Sequence, residues 1–309
     1  MTIRFSLQMR TVDDGAEVAD LAGEVESLGY ESLRIPDHVG ATLSPFATLS
    51  YAAASTSTLR LGPYVLNAGM WHPLDLARET ATLDRLSGGR AFLGLGAGHT
   101  PAEWAQRGLV RPTPADRVTH MIELASCTTA LLAGETVTDD HFGLRDAELP
   151  TPRPVQEPVP LLIGGGNPRL LDYAAAHAHT IGFTGLGATL PDGHGHDTRW
   201  SPADVDALFE PFRSRTGPRV DVLVQHVELT DDRAAAAATM AADLGATTAD
   251  DLLAAPFVLI GTEEDILAQV RRQLTTLGAE SYCVRGPALH ALAPIVAELL
   301  ADGDETGPP

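Results

Sequence analysis

The sequence predicts an α/β fold, a closed (β/α)8 TIM barrel with loop insertions, as one domain over residues 1–302 followed by a flexible tail at 303–309. Three observations favour this class. The length of 309 residues suits one such barrel with insertions. Eight short apolar runs alternate with amphipathic segments, as in parallel βα units. Polar residues and glycines follow most of the apolar runs. The same alternation leaves a doubly wound open sheet as the alternative architecture.

The eight predicted strands are short and apolar, and they are Ile3–Leu7, Ser32–Ile35, Leu59–Leu66, Ala91–Leu95, Pro160–Ile163, Thr180–Phe183, Val220–Val227 and Ser281–Val284. Helical periodicity predicts the segments between them, which are Asp13–Leu28, Leu74–Leu86, Pro114–Leu132, Arg169–Ala178, Pro202–Arg213, Glu263–Leu277 and Ala288–Leu300. Gly29 and the pair Gly88-Gly89 follow two of these helices, where glycine commonly caps a helix end.

Two stretches read as insertions. Residues 135–158 are rich in Pro, Asp and Glu, and residues 186–201 are rich in Gly and His. Long loops after barrel strands often shape a substrate site. The histidines of the second stretch, His194 and His196, lie near His177 and His179 in sequence, but their spacing fits no well-formed metal site, so no metal is expected.

Composition excludes several functions. The formal net charge is −20 and every basic residue is arginine. An acidic surface repels phosphate backbones, which argues against nucleic-acid binding. Without lysine, Schiff-base chemistry and a Walker-type phosphate lysine are impossible. No apolar run approaches the roughly 20 residues of a membrane span, and the first residues lack a signal-peptide core. We therefore expect a cytoplasmic protein that acts on a small molecule.

Asp37 and His38, in the segment IPDHV, are the first chemical candidates because they end the second predicted strand. Active sites of βα barrels form at the carboxyl ends of their strands. A histidine beside a carboxylate can exchange a proton near neutral pH. The alternative is an aspartate that caps the next turn beside a merely exposed histidine.

Glycines occupy alternate positions 94, 96 and 98 of the fourth strand, in FLGLGAGH. Alternate glycines strip one face of a strand, which leaves room for a flat ring or for another backbone. Tight strand packing alone is the other explanation. The spacing lacks the end of a dinucleotide-binding fingerprint.

Gly164, Gly165, Gly166 and Asn167 join the fifth strand to a predicted helix. Free amides at such a turn bind anions without lysine, and Arg169 offers a charge-assisted bond. A tight turn with no ligand is the alternative, and barrel phosphate sites more often follow strands seven and eight.

Together these motifs resemble the luciferase-like monooxygenase superfamily, most closely its actinobacterial coenzyme F420-dependent branch. The resemblance is carried by WHPLDLARETATLDRLSGGRAFLGLGAGHTPAEWAQRG, by IPDHV, by the Pro-rich approach to LLIGGGNPRLLDYAAAHA and by APFVLIGTEEDILAQVRRQLTTLGAESYCVRGP. It extends from about residue 3 to residue 300.

The resemblance implies a flavin or deazaflavin ring across the barrel mouth, supported by a bulge in the third strand that often holds a non-prolyl cis peptide. It implies that His38 and Asp37 are catalytic. The cofactor contacts it implies are Asp37, Tyr64, Val65, Asn67, Gly96, Ala97, Gly98, His99, Gly164, Gly165, Gly166, Asn167 and Arg169. We expect Trp71, His72 and Glu103 to lie on the substrate side. His99, His179 and the pair Trp71-His72 depart from the usual residues of relatives.

The resemblance implies coenzyme F420-dependent hydride transfer to or from a small organic substrate, most simply reduction of an activated C=C or C=N bond. The alternative is an FMN-dependent monooxygenase that uses reduced flavin and O2, and a non-enzymatic flavin-binding protein is a further one. We expect Arg34, Arg169 and Arg199 to be candidates for the anionic tail of F420. A separate cofactor-reducing enzyme and a homodimer are the expected partners.

Overall fold

A computed structural model describes residues 2–9, 14–40, 42–190, 195–214, 216–244 and 248–305. The strands of this described part are β1 (Arg4–Gln8), β2 (Ser32–Ile35), β3 (Arg60–Pro63), β4 (Leu66–Asn67), β5 (Leu93–Gly96), β6 (Val137–Asp139), β7 (Leu144–Ala147), β8 (Leu161–Gly164), β9 (Thr180–Phe183), β10 (Leu186–Thr189), β11 (His196–Thr198), β12 (Arg219–Leu223), β13 (His226–Leu229), β14 (Val258–Gly261) and β15 (Ala279–Arg285). Its helices are α1 (Gly15–Ser27), α2 (Pro45–Ser55), α3 (Pro73–Ser87), α4 (Pro101–Gln106), α5 (Pro114–Ala133), α6 (Pro168–His177), α7 (Pro202–Phe209), α8 (Arg233–Leu244), α9 (Ala249–Ala254), α10 (Glu263–Leu277) and α11 (Leu289–Glu305).

Nine parallel strands form the barrel sheet in the order β3-β2-β1-β15-β12-β9-β8-β5-β4. β3 and β4 are two halves of one stave, interrupted by the cis peptide bond between Tyr64 and Val65. A bridge between Leu61 of β3 and Ala91 joins the two ends of the sheet. The sheet therefore closes with eight staves, which confirms the predicted barrel.

The seventh predicted strand was wrong at its carboxyl half. Only Arg219–Leu223 stays in the barrel as β12, whereas His226–Leu229 leaves it as β13 and pairs with β14. The adjacent polar residues Gln225 and His226 mark this break in the sequence, but Leu223 and Val224 continue the apolar run past the end of β12. Helices α2, α4, α8 and α9 and strand β14 were not among the predicted elements.

Both insertions contain an antiparallel hairpin. β6 pairs with β7 inside residues 135–158, and β10 pairs with β11 inside residues 186–201. Residues 191–194, which include Asp192 and His194, lie outside the described residues. Helix α11 continues to Glu305, beyond the expected start of the tail, and residues 306–309 also lie outside the described part.

Buried aliphatic and aromatic side chains fill the space between the sheet and its helices. None of the described helices combines the length and the apolar character that crossing a membrane requires. Within the barrel, Arg34 and Asp221 form an ion pair of 2.7 Å, with only 4% and 0% of their side-chain surfaces exposed. The Tyr64 hydroxyl donates to the same Asp221 oxygen at 2.6 Å. This network crosses the barrel below its carboxyl-terminal mouth and holds Tyr64 from inside.

Candidate functional site

His38 and Glu103 meet at the mouth of the barrel. His38 follows β2 and Glu103 lies in the first turn of α4, and their Nδ1 and Oε1 atoms are 2.7 Å apart. Glu103 is buried, whereas His38 keeps 37% of its side chain exposed. Burial acts to raise the pKa of Glu103, but hydrogen bonds from His38 and from the Asn67 amide outweigh it and hold this pKa below its usual value. The pair is therefore an ionised carboxylate that orients a half-exposed imidazole.

Asn67 ties this pair to the third stave. Its Nδ2 donates to Glu103 Oε2 at 2.9 Å, and its Oδ1 accepts from the Gly69 amide at 3.2 Å. Its own backbone amide donates to Asp37 Oδ2 at 3.3 Å, an oxygen that also accepts from Trp71 Nε1 at 3.3 Å. Burial is the main cause that raises the pKa of Asp37. Asn67 itself is buried, so its polar groups are engaged within the protein.

The bulge of the third stave is present where the resemblance implied it. The Tyr64–Val65 peptide bond is cis, and Gln8 Nε2 donates to the Tyr64 carbonyl at 3.0 Å. The Tyr64 side chain is buried and bonded to Asp221, whereas Val65 keeps partial exposure. Of the two residues, Val65 is the one that offers side-chain surface to a ligand.

The glycine-rich fourth stave, β5, makes room for the third stave. A Cβ atom at Gly94 would lie 2.0 Å from the Pro63 carbonyl oxygen, and one at Gly96 would lie 2.6 Å from Val65 Cγ2. Gly98 has φ +72°, and a Cβ there would lie 2.0 Å from Asn67 Oδ1. The third stave therefore approaches β5 closely at these glycines, as the sequence analysis expected for another backbone.

In the turn from β8 to α6, fewer backbone amides are available to an anion than the sequence predicted. The Gly165 amide donates to the Gly182 carbonyl at 3.2 Å, and Asn167 Oδ1 accepts from the Arg169 amide at 3.0 Å. Gly166 and Asn167 are exposed residues, and no acceptor for their backbone amides is found in the described part of the chain. Arg169 is exposed and donates to Thr119 Oγ1 at 3.1 Å. Two amides at an exposed helix N-terminus are the groups available to an anion.

Three further histidine rings, of His99, His196 and His72, lie at the mouth. His99 lies edge-on to His38 at 5.7 Å between ring centroids and to His196 of β11 at 4.6 Å. His99 keeps an exposed edge, but burial of the rest of the ring, with His196 and His38 beside it, lowers its pKa to about 4. The rings of His72 and of Phe142 in the first insertion lie edge to face, with their centroids 5.8 Å apart. Both insertions therefore reach the mouth.

One sequence prediction about the site was wrong. Arg34 cannot reach the tail of a cofactor at the mouth, because it lies inside the barrel against Asp221 with 3% of its surface exposed. Side chains alternate along a strand, and position 34 happens to face the barrel interior. Arg199 is exposed beside Gly187 of β10.

Three contributors were missed. Gln8 holds the cis peptide carbonyl, Thr42 Oγ1 accepts from the His38 amide at 3.2 Å, and His196 packs on His99. Of these, Gln8 carried a signal as a polar residue that ends an apolar strand, and His196 carried one as a histidine of the second insertion. Among the described residues no three His, Cys, Asp or Glu side chains are grouped to hold a metal ion.

The closed barrel with polar residues at its carboxyl-terminal mouth is typical of (β/α)8-barrel enzymes. Comparison with known proteins identifies the family. The sequence profile of the luciferase-like monooxygenase family matches residues 2–281. The chain belongs to this family.

Relatives within it differ in activity. An F420-dependent glucose-6-phosphate dehydrogenase from Kineococcus radiotolerans is 31% identical over 221 residues, which are 68% of this chain and 62% of that protein. The alignment thus spans about three fifths of that relative. The coenzyme F420-dependent tetrahydromethanopterin reductase from Methanopyrus kandleri superposes with a TM-score of 0.72 at 21% identity, covering 98% of this chain and 99% of that one. The monooxygenase RslO1 from Streptomyces bottropensis gives 0.72 at 20% identity, covering 96% and 97%. These two structures establish the shared fold.

Proposed function

We propose that this protein is a coenzyme F420-dependent oxidoreductase that transfers a hydride to or from a small organic substrate at the barrel mouth. The observation that carries the proposal is the half-exposed His38 held by buried Glu103 at the barrel mouth. The F420-dependent dehydrogenase from Kineococcus supports the choice of cofactor.

The residues present fit such a cofactor. Val65 gives a flat ring an apolar surface, and the backbone amides of Gly166 and Asn167 match a phosphate group. Arg169 and Arg199 supply positive charge for an anionic tail. When bound, the deazaflavin supplies or accepts a hydride and reacts poorly with oxygen.

His38 moves the proton that accompanies the hydride. Because ionised Glu103 accepts from Nδ1–H, the neutral ring has its lone pair at Nε2, and the protonated ring has a proton there. Nε2 is thus a proton donor for reduction and a proton acceptor for oxidation. For Asp37 we propose a positioning role, since it holds Asn67 and Trp71. Glu103 is reassigned from substrate contact to orientation of His38, and Trp71 and His72 remain the proposed substrate-side residues. Reduction of an activated C=C or C=N bond is the reaction we propose.

An FMN-dependent monooxygenase is the second candidate, because monooxygenases share this fold. This reaction would need a separate enzyme that supplies reduced flavin. For the F420 reaction we likewise propose a separate enzyme that reduces the cofactor. A non-enzymatic flavin-binding role is a third. We also propose that the chain forms a homodimer and is cytoplasmic.

Titration of the purified chain with F420 and with FMN, followed by cofactor fluorescence, tests the proposal. We expect F420 to bind and FMN to bind much more weakly. Tight FMN binding without F420 binding would overturn the cofactor assignment.

His38→Gln is the matched variant for catalysis. It should keep F420 affinity and lower turnover roughly 10²–10⁴-fold, as loss of a general acid does. Unchanged turnover would remove the proposed role of His38.

A further inference from the structure

A cavity of about 210 Å³ opens at the amino-terminal end of the barrel, opposite the mouth. Its lining comes from residues at or just before the starts of β2, β3, β8, β9 and β12. At about 30 Å³ per water molecule, the volume exceeds that of a single water several times over. The cavity therefore has room for a small hydrated ligand, and it lies far from the groups that the proposed function uses.

Three arginines, Arg34, Arg60 and Arg219, are among the residues that line this cavity. Arg219 Nη1 donates to both carboxylate oxygens of Glu31, at 2.8 and 2.7 Å. Arg34 is paired with Asp221, and no described oxygen accepts from its Nη2. The carboxylates of Asp221 and Glu31 are thus each bound to one of these arginines.

Arg60 is the cation without a direct carboxylate partner among the described residues. Its Nη2 donates to two neutral oxygens, Gln156 Oε1 at 3.1 Å and the Ala91 carbonyl at 3.4 Å. Gln156 in turn donates to buried Asp84, which therefore acts on Arg60 only at a distance. Burial is the main cause that lowers the pKa of Arg60, and the charge of Arg219 adds to it, while the nearby carboxylates of Glu31 and Asp84 oppose the shift without bonding to Arg60. A partly buried cation that meets only neutral acceptors favours an added anion.

His179 adds a neutral donor to the same cavity. Its Nδ1 accepts from the Leu161 amide at 3.1 Å, so the proton of the neutral ring is carried by Nε2. The ring is exposed and lines the cavity. Burial of its inner edge, together with Arg60, lowers the pKa of His179. The ring is therefore neutral at pH 7 and offers one N–H group.

We propose that this cavity binds a small tetrahedral oxyanion, with inorganic phosphate or sulfate as its ligand class, between Arg60, Arg219 and His179. Guanidinium groups and an imidazole N–H are donors that match oxyanions in geometry and charge. The site is separate from the turn at 166–167, so it does not depend on the proposed function. Occupancy adds the anion that Arg60 lacks, which stabilises the amino-terminal end of the barrel.

Phosphate titration of the cofactor-free full chain tests the site, with chloride holding the ionic strength constant. Imidazole NMR follows His179, and calorimetry gives the affinity. We expect a Kd of about 1 mM or below and a rise in the pKa of His179 when phosphate binds. Arg60→Gln should weaken binding by at least roughly tenfold, since it removes a charged hydrogen bond. Arg169→Gln, at the mouth turn, should leave the His179 response unchanged.

His179→Ala provides a second variant, should Arg60→Gln fail to fold, and we expect it to weaken phosphate binding. The proposal is overturned if phosphate leaves His179 unperturbed, if Arg169→Gln abolishes the response, or if a folded Arg60→Gln or His179→Ala binds phosphate like the wild type. F420 affinity should be unchanged in Arg60→Gln, which keeps this result distinguishable from failure of the cofactor assignment.

Discussion

Replacing Asp221 by alanine tests the polar interior of the barrel. Arg34 has 3% of its surface exposed and Asp221 has none, and their atoms lie 2.7 Å apart. The Asp221→Ala variant leaves a desolvated guanidinium without its carboxylate, a change that costs about 3–5 kcal/mol of unfolding free energy. The Tyr64 hydroxyl loses the same acceptor. Because the two losses share one carboxylate, they are not additive, and we expect the total to stay near this range.

Urea unfolding followed by circular dichroism measures this difference. The surface variant Asp75→Ala is the matched control, because Asp75 and Arg78 lie 3.4 Å apart with more than half of each side chain exposed. It should cost less than about 1 kcal/mol. The double variant Arg34→Met with Asp221→Leu should recover most of the loss, since apolar replacement of a buried pair is often neutral. A loss below about 1 kcal/mol in Asp221→Ala, or a double variant less stable than the single one, would refute this reasoning.

Three further predictions concern the mouth and the helix layer. In Gly96→Ala the new Cβ lies 2.6 Å from Val65 Cγ2, so Val65 must move, and the F420 Kd should rise roughly tenfold by fluorescence titration. Gly23→Ala, with open space around it, should leave that Kd unchanged, and an unaltered Kd in Gly96→Ala would contradict the role of Val65. Asn167→Asp places a negative charge beside the amides of Gly166 and Asn167. It should weaken F420 binding more at low salt than at high salt, because salt screens the repulsion. An equal loss of affinity at both salt concentrations would exclude an anion at this turn.

Burial raises the pKa of Glu26, but three backbone amides and a hydroxyl before β3 outweigh it and lower this pKa from 4.5 to about 2. The stabilisation by ionised Glu26 is therefore present above pH 4.5 and lost as the pH falls towards 2. The unfolding free energies of wild type and Glu26→Gln should converge over that range. A difference in unfolding free energy that stays constant with pH would contradict the lowered pKa of Glu26.

Periodicity in the sequence was sufficient to predict most of the fold. Helix α10 begins and ends where the pattern places it, at Glu263 and Leu277. The polar strand ends also indicated the mouth, including His38 and the turn at Gly166. Local patterns do not show where one element ends if the apolar run continues past its end. The break after β12 was missed because Leu223 and Val224 continue an apolar run, although only the first belongs to the barrel strand.

The sequence by itself determined the alternation of strands and helices, the residue types at the strand ends and the exclusion of lysine chemistry, because these depend on composition and short-range spacing. The tertiary structure alone decided which of these residues meet. His38 and Glu103 are 65 positions apart and Arg34 and Asp221 are 187 apart, yet each pair is in direct contact. Barrel closure creates these contacts by bringing distant strands together, and no local pattern encodes which partner a side chain will find across the barrel.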